Sequence, residues 1–226
     1  MLTPPSFKGV LFDLDGTLAD TAPDLGAAAN RIRIEEGLPA LELEAFRPYA
    51  SHGARGLLGV ALSIKPEHPQ FESYRLKFLD YYEASICQST HWFAGVPEMI
   101  LDLEKRGIAW GIVTNKHTRF TAPLVAQLKP LLNAGCVISG DTTARAKPHP
   151  EPLIEGARRL GIPPAQCWYV GDALRDIQAA RAAGMYSIAA SYGYVGGESA
   201  PETWGANYLC DSLSGLSQYL AKHASA

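Results

Sequence analysis

KGVLFDLDGTLADT, residues 8–21, runs from a short apolar segment, Lys8 to Phe12, straight into two aspartates, a glycine and a threonine. An unbroken apolar run that ends abruptly in polar residues is the pattern of a parallel strand buried on both faces that delivers its functional groups at the carboxyl end. Asp13 and Asp15 therefore sit two apart at a strand end, and Gly16 lets the backbone turn away behind them.

Downstream, the punctuation of Gly95 and Pro97 opens an alternation of helix and strand. A helix is expected over Glu98–Arg106 and a strand over Ile108–Val113, running into Thr114 and Asn115. A helix near Phe120–Leu128, a strand at Cys136–Ser139 and a helix at Pro152–Leu160 follow. Strands are expected at Cys167–Val170, Tyr186–Ala190 and Tyr208–Cys210, with a closing helix near Leu213–Ala221. Such alternation predicts an α/β fold, a Rossmann-like parallel sheet covered by helices on both faces. Ligands of these folds bind beyond the carboxyl ends of the strands, where Asp13, Thr114 and Asp172 each end an apolar run (VLFD, GIVT, WYVGD). Between Thr21 and about Thr90 strand signals are sparse, and Tyr74, Phe78, Tyr81 and Tyr82 recur at helical spacing. The expected organisation is a catalytic core from residues 1–20 and 91–226, with residues 21–90 forming a small helical cap inserted after the first strand.

Composition narrows the class. With 226 residues, 47% hydrophobic and 19% charged, the chain is in the ordinary range for folded globular proteins. A formal charge of -3 gives no overall field favouring nucleic acid or an anionic membrane. Cys87, Cys136, Cys167 and Cys210 lie far apart without zinc-ligand spacing and read as reduced thiols. The start MLTPPSFKG lacks a signal-peptide pattern, and no apolar run reaches the ~18 residues of a membrane span, so the cytoplasm is the expected compartment.

Paired carboxylates at a strand end suit a nucleophile with an acid/base partner, or metal ligation, and phosphoryl transfer uses both. A turn or helix-cap role is the alternative for each aspartate, Asp172 and Asp176 included. DLDGTLADT is followed in order by VTNK at 113–116, by Lys147 in AKPHPEP and by VGDALRD at 170–176. This series resembles the haloacid dehalogenase superfamily of phosphatases over nearly the whole chain. The resemblance implies Asp13 as nucleophile and Asp15 as general acid/base. It implies phosphate contacts from Thr114 and Lys147, and less strongly from Asn115. It also implies a Mg²⁺ site from Asp13, the Asp15 carbonyl and Asp172, supported by Asp176. His117 and His149 receive no role, and the four tryptophans are expected to be packing residues.

Within the superfamily, LFDLDGTLADTAPDL, the cap position and GVPEMI resemble phosphoglycolate phosphatase-like enzymes. SHGARGLL, WGIVTNKHTRF and TWGAN are similar to bacterial N-acetylmuramic acid 6-phosphate phosphatases. The implied substrate is a small phosphorylated metabolite bearing a carboxylate. Arg55, in the Gly-bearing turn with Ser51, His52 and Gly53, is the expected reader of that carboxylate, because a guanidinium can engage it with two parallel hydrogen bonds. Arg119 has a weaker claim. The motifs leave open a sugar phosphomutase, which returns the phosphoryl group to substrate, and a silent binding module of the same fold. Dehalogenation fits less well, since Asp15 and the metal carboxylates are present. The oligomeric state is not legible.

Overall fold

In the computed structural model, which describes residues 4–128, 133–196 and 199–224, the opening stretch forms the central strand of a six-stranded sheet. That strand, β1 (Gly9–Phe12), is flanked by β4 (Ala109–Val113) and β6 (Cys167–Gly171). Beyond β4 lies β5 (Val137–Ile138), and beyond β6 lie β7 (Tyr186–Ala190) and β8 (Tyr208–Cys210), all paired in parallel. The order is β5-β4-β1-β6-β7-β8. The chain thus works outward on one side of β1 and then returns to build the other, which makes the carboxyl ends of β1, β4 and β6 a topological switch point.

Alternation along β1 explains why its sequence is apolar throughout. Val10 and Phe12 join Trp110, Ile112, Trp168 and Val170 in the core of one face, whereas Leu11 joins Val113 and Tyr169 in the core of the other. The first face is covered by α5 (Val96–Lys105) and α9 (Leu213–His223), through Met99, Ile100, Leu103, Leu216 and Leu220. The second is covered by α7 (Glu151–Leu160) and α8 (Leu174–Ala182), through Leu153, Ala157, Ala179 and Ala180. At ~25 cal/mol per Å² of apolar area, burial of both faces stabilises the sheet from either side. Cys136, Cys167 and Cys210 are buried, Cys87 is half-buried, and all four are free thiols.

The inserted segment is helical. Here α1 (Ala22–Glu35), α2 (Leu43–Phe46), α3 (Gly53–Leu62) and α4 (Phe71–Ala84) close around Leu25, Ile32, Phe46, Leu57, Phe78 and Tyr82. Where this cap joins the core, β2 (Ala19–Asp20) pairs antiparallel with β3 (His91–Trp92). Strands this short have no periodicity to read, so the ribbon is absent from the sequence expectations. Asp24 braces the junction by accepting from the Ser89 and Thr90 backbone amides and the Thr90 hydroxyl. Asp20 accepts two hydrogen bonds from Arg47 of the cap, at 2.8 and 2.9 Å, and one from the Tyr194 hydroxyl of the core, at 2.7 Å. No helix among the described residues is long and apolar enough to cross a membrane.

Candidate active site

The β1 pairing continues past the strand, because the Asp13 amide donates to the Val170 carbonyl at 2.9 Å, and this fixes the first carboxylate at the switch point. Thr114, at the end of β4, is held in the same way by the Ile138 carbonyl at 2.9 Å. Asp172 follows β6, and Asp176 lies in the first turn of α8. Carboxylate oxygens of Asp13, Asp172 and Asp176 lie within 4.8 Å of one another, all buried.

Lys147 supplies the counter-charge. Its fully buried ammonium is 2.9 Å from Asp13 Oδ1 and 2.8 Å from Asp176 Oδ1. The other oxygen of Asp176 accepts from the Ala173 amide at 3.1 Å. Asp176 therefore caps a helix, as one sequence reading has it, and also holds the Lys147 ammonium. Asn115 was expected to contact phosphate, but its side-chain amide grips the Lys147 backbone, donating to the carbonyl at 2.9 Å and accepting from the amide at 3.0 Å. Its side chain positions Lys147.

Asp15 lines the same cavity as Asp13 but has partners outside the carboxylate cluster. Its Oδ1 accepts from Lys116 Nζ at 2.7 Å and from the Thr21 hydroxyl at 2.5 Å. Lys116, which the sequence reading left without a role, lies 4.7 Å above the Tyr82 ring of the cap. Burial works against its charge, yet Asp15 and Tyr82 hold its pKa above the ordinary lysine value. The signal was present, since Lys116 is the last residue of VTNK.

Packing three carboxylates together has an electrostatic cost. Burial, with Asp176 and Asp15 adding repulsion, pushes the Asp13 pKa up to about 6 against the pull of Lys147 and Arg175. Burial and the charges of Asp13 and Asp176 push Asp172 up to about 8, against the Tyr194 amide and Arg175. An all-oxygen, anion-rich and buried set of this kind fits a hard divalent cation, which would relieve that repulsion.

The cap reaches this centre through one loop. The Ser51 hydroxyl donates to Asp172 Oδ2 at 3.3 Å, and the Ser51 carbonyl accepts from Arg175 at 2.9 Å. A cavity of about 640 Å³ opens between cap and core above Asp13 and Asp15, and Ser51, His52 and Gly53 line it. Arg55 does not. It is exposed and lines a separate concavity with Tyr49, Lys65 and Glu67. It was expected to read a substrate carboxylate; here it is exposed near the start of α3, outside the lining of the cavity above Asp13, with His52 bordering both concavities. Arg119 does line the cavity, but its guanidinium is engaged by Asp80 and Glu83 of the cap. His117, given no role from sequence, also lines it.

A doubly wound sheet carrying a buried lysine and acidic cluster at its switch point defines an α/β enzyme, and this one is a phosphatase. The chain belongs to the haloacid dehalogenase-like hydrolases, whose family model matches residues 10–190. It is 41% identical to an N-acetylmuramic acid 6-phosphate phosphatase of Pseudomonas putida, over 90% of this chain and 92% of that protein. It is 44% identical to a phosphoglycolate phosphatase of Xanthomonas campestris pv. campestris, again over 90% and 92%. Among solved structures, a predicted phosphoglycolate phosphatase from Haemophilus somnus superposes with a TM-score of 0.81 at 25% identity, covering 94% of this chain and 97% of that one.

Proposed function

We propose that the protein hydrolyses a carboxylate-bearing phosphate monoester through an aspartyl-phosphate on Asp13, with Mg²⁺ as cofactor. The observation that carries this reading is the division of labour between the two aspartates: Asp13 is held by Lys147 beside Asp172 and Asp176, while Asp15 turns to Lys116. A phosphate dianion repels an attacking carboxylate, so positive charge must converge before Asp13 can approach phosphorus in line. Lys147 provides part of it from below. Mg²⁺ held by Asp13, Asp172 and the Asp15 carbonyl, with Asp176 behind, would neutralise charge on the phosphoryl oxygens.

In the first step an Asp13 oxygen forms a bond to phosphorus as the bond to the leaving oxygen breaks, and Asp15 gives that oxygen a proton. In the second, Asp15 takes a proton from the water whose oxygen bonds to phosphorus as the bond from Asp13 to phosphorus breaks, which releases inorganic phosphate and restores the Asp13 carboxylate, so one group serves both directions. Thr114 ends β4 beside this position and supplies a hydroxyl for the phosphoryl oxygens. Residues 1–20 and 91–226 act as the catalytic core, and residues 21–90 as the cap that selects the leaving group. The setting is cytoplasmic.

The names of the relatives divide between two substrates. The cavity favours the larger, N-acetylmuramic acid 6-phosphate, because about 640 Å³ lies within the usual range of ~300–1,000 Å³ for ligand pockets and far exceeds what glycolate needs. Its cap side combines the apolar Leu25, Phe78, Leu79 and Tyr82 with the polar Ser51, His52 and Arg75, a surface suited to a sugar ring and its polar substituents. Phosphoglycolate is the second reading, carried by the relative from Xanthomonas. The test is phosphate release with Mg²⁺ from both compounds and from hexose phosphates, for wild type and Asp13→Asn. Expected is turnover by wild type, highest kcat/KM on the muramic acid ester, and none by the variant. Isomerised sugar phosphate without free phosphate would instead indicate a mutase, and inactivity across the panel a binding module.

A further inference from the structure

The strand that leads to Asp172 buries a phenol that this scheme does not use. Tyr169, on β6, is fully buried, and its hydroxyl lies 2.8 Å from Lys147 Nζ, 2.9 Å from the Val113 carbonyl and 3.3 Å from Asp176 Oδ1. Its neighbours Trp168 and Val170 pack into the opposite face of the sheet. Strand alternation therefore sends Tyr169 to the face on which Lys147 arrives.

The ammonium of Lys147 has three protons and no lone pair. Around it stand four oxygens, from Asp13, Asp176, Val113 and Tyr169, at 2.8 to 2.9 Å. Three are acceptors only. The phenol alone can accept from Lys147 while sending its own proton on, at 2.9 Å to the Val113 carbonyl at the end of β4 or at 3.3 Å to Asp176 in the first turn of α8. With its stem fully enclosed, Lys147 has its remaining rotation fixed by its hydrogen bonds to the Val113 carbonyl and the Tyr169 hydroxyl, and this leaves the ammonium 2.9 Å from Asp13 Oδ1.

We propose that Tyr169 is a positioning residue for phosphoryl transfer, holding the Lys147 ammonium in the orientation that serves Asp13. This rests on the reading of Asp13 as nucleophile. Tyr169→Phe is a clean probe, because both other acceptors of the phenol keep Lys147 as a partner and no buried acceptor is orphaned. Stability should change little. The cost should fall on chemistry, where small misplacements lose large factors.

The experiment measures kcat, KM and Tm for wild type, Asp13→Asn, Tyr169→Phe and Cys167→Ala, with Mg²⁺ and N-acetylmuramic acid 6-phosphate or phosphoglycolate, whichever wild type turns over. Cys167, on the same strand, is buried away from Lys147, so its truncation reports on strand destabilisation alone. Expected for Tyr169→Phe is a kcat roughly 10- to 100-fold lower with KM within about threefold, while Cys167→Ala loses Tm but keeps kcat. A Tyr169→Phe kcat within twofold of wild type, a loss confined to KM, or an equal kcat loss in Cys167→Ala would overturn the inference. An inactive wild type, or an active Asp13→Asn, would instead remove the nucleophile reading beneath it.

Discussion

Lys116 Nζ stands 2.7 Å from Asp15 Oδ1, and the same ammonium lies 4.7 Å from the centre of the Tyr82 ring, so one lysine joins the second aspartate of the first motif to a helix of the cap. Both partners of the ion pair are nearly enclosed, with side chains 9% and 12% exposed. A pair at this depth is weakly screened, and removing one member leaves the other uncompensated. Lys116→Met keeps the length of the stem and loses the charge. It should lower kcat by roughly 100-fold, within the range that acid/base groups contribute. Stopped-flow and steady-state phosphate release would check this, and an unchanged kcat would separate Lys116 from the proton-transfer step.

Asp15→Asn and Asp13→Asn should differ in kind, although both lose turnover. Asp13→Asn cannot form the phosphoryl bond, so trifluoroberyllate should bind wild type and Asp15→Asn but not Asp13→Asn. Equal binding by all three proteins would contradict the assignment of the nucleophile.

The carboxylate cluster links stability to pH and metal. In the metal-free protein Asp13 is raised to about 6 and Asp172 to about 8. Because these folded values exceed the unfolded one near 3.8, the folded state holds more protons, and the stability they contribute is lost as pH rises through about 6 and then about 8. His223 is shifted the opposite way, lowered mainly by burial, and opposes this trend only near its own titration. The Tm of chelated protein should therefore fall from pH ~4, most steeply below ~6 where both groups contribute, and level off near ~8, and the rise in Tm on adding Mg²⁺ should be larger at the upper end, where protons no longer compete. Activity should disappear on chelation and return with Mg²⁺. Differential scanning fluorimetry across that range is the measurement, and a Mg²⁺ increment independent of pH would speak against the cluster as the metal site.

Arg55→Ala should leave kcat/KM within about twofold on every substrate, the usual outcome for a surface change away from the site. The guanidinium lines a concavity outside the one above Asp13. A loss confined to carboxylate-bearing phosphates would restore it to substrate recognition.

The parts of this protein legible in its sequence are those with a strong local pattern. The run before Asp13 reads as a strand because both sheet faces bury it, and the apolar segments before Thr114 and Asp172 follow the same rule. What sequence spacing misses is direction. Asn115 adjoins Thr114 but turns to the Lys147 backbone, and Arg55 is two residues from Gly53 yet is exposed outside the cavity that Gly53 lines. Tyr169 and Lys116 acquire their partners only when distant strands converge, at separations of 22 and 101 residues. The place of Lys116 in VTNK marks it as a member of the site, but no local pattern names the distant partner of either residue.

Gly16 joins the first motif to the last. Its φ is +82°, and a Cβ built there would lie 2.0 Å from Asp172 Oδ2, 2.7 Å from Asp172 Cγ and 2.8 Å from Tyr194 Cδ2. The position therefore makes two demands on any other residue, one conformational and one steric. Gly161, at the end of α7, makes only the first: its φ is +71°, and nothing lies within 4 Å of a built Cβ. Gly161→Ala should accordingly cost about 1–2 kcal/mol, the price of a left-handed L-residue, with activity retained. Gly16→Ala carries that cost and must also displace the Asp172 carboxylate, one of the three clustered carboxylates that could hold a cation. It should lower kcat by roughly 100-fold or more and raise the Mg²⁺ concentration needed for half-maximal activity, since misplacing a liganding group acts on binding and chemistry together. Thermal unfolding and Mg²⁺ titrations on the two variants separate the terms. If Gly16→Ala behaved like Gly161→Ala in both, the close packing of the turn against Asp172 would have no part in shaping the site.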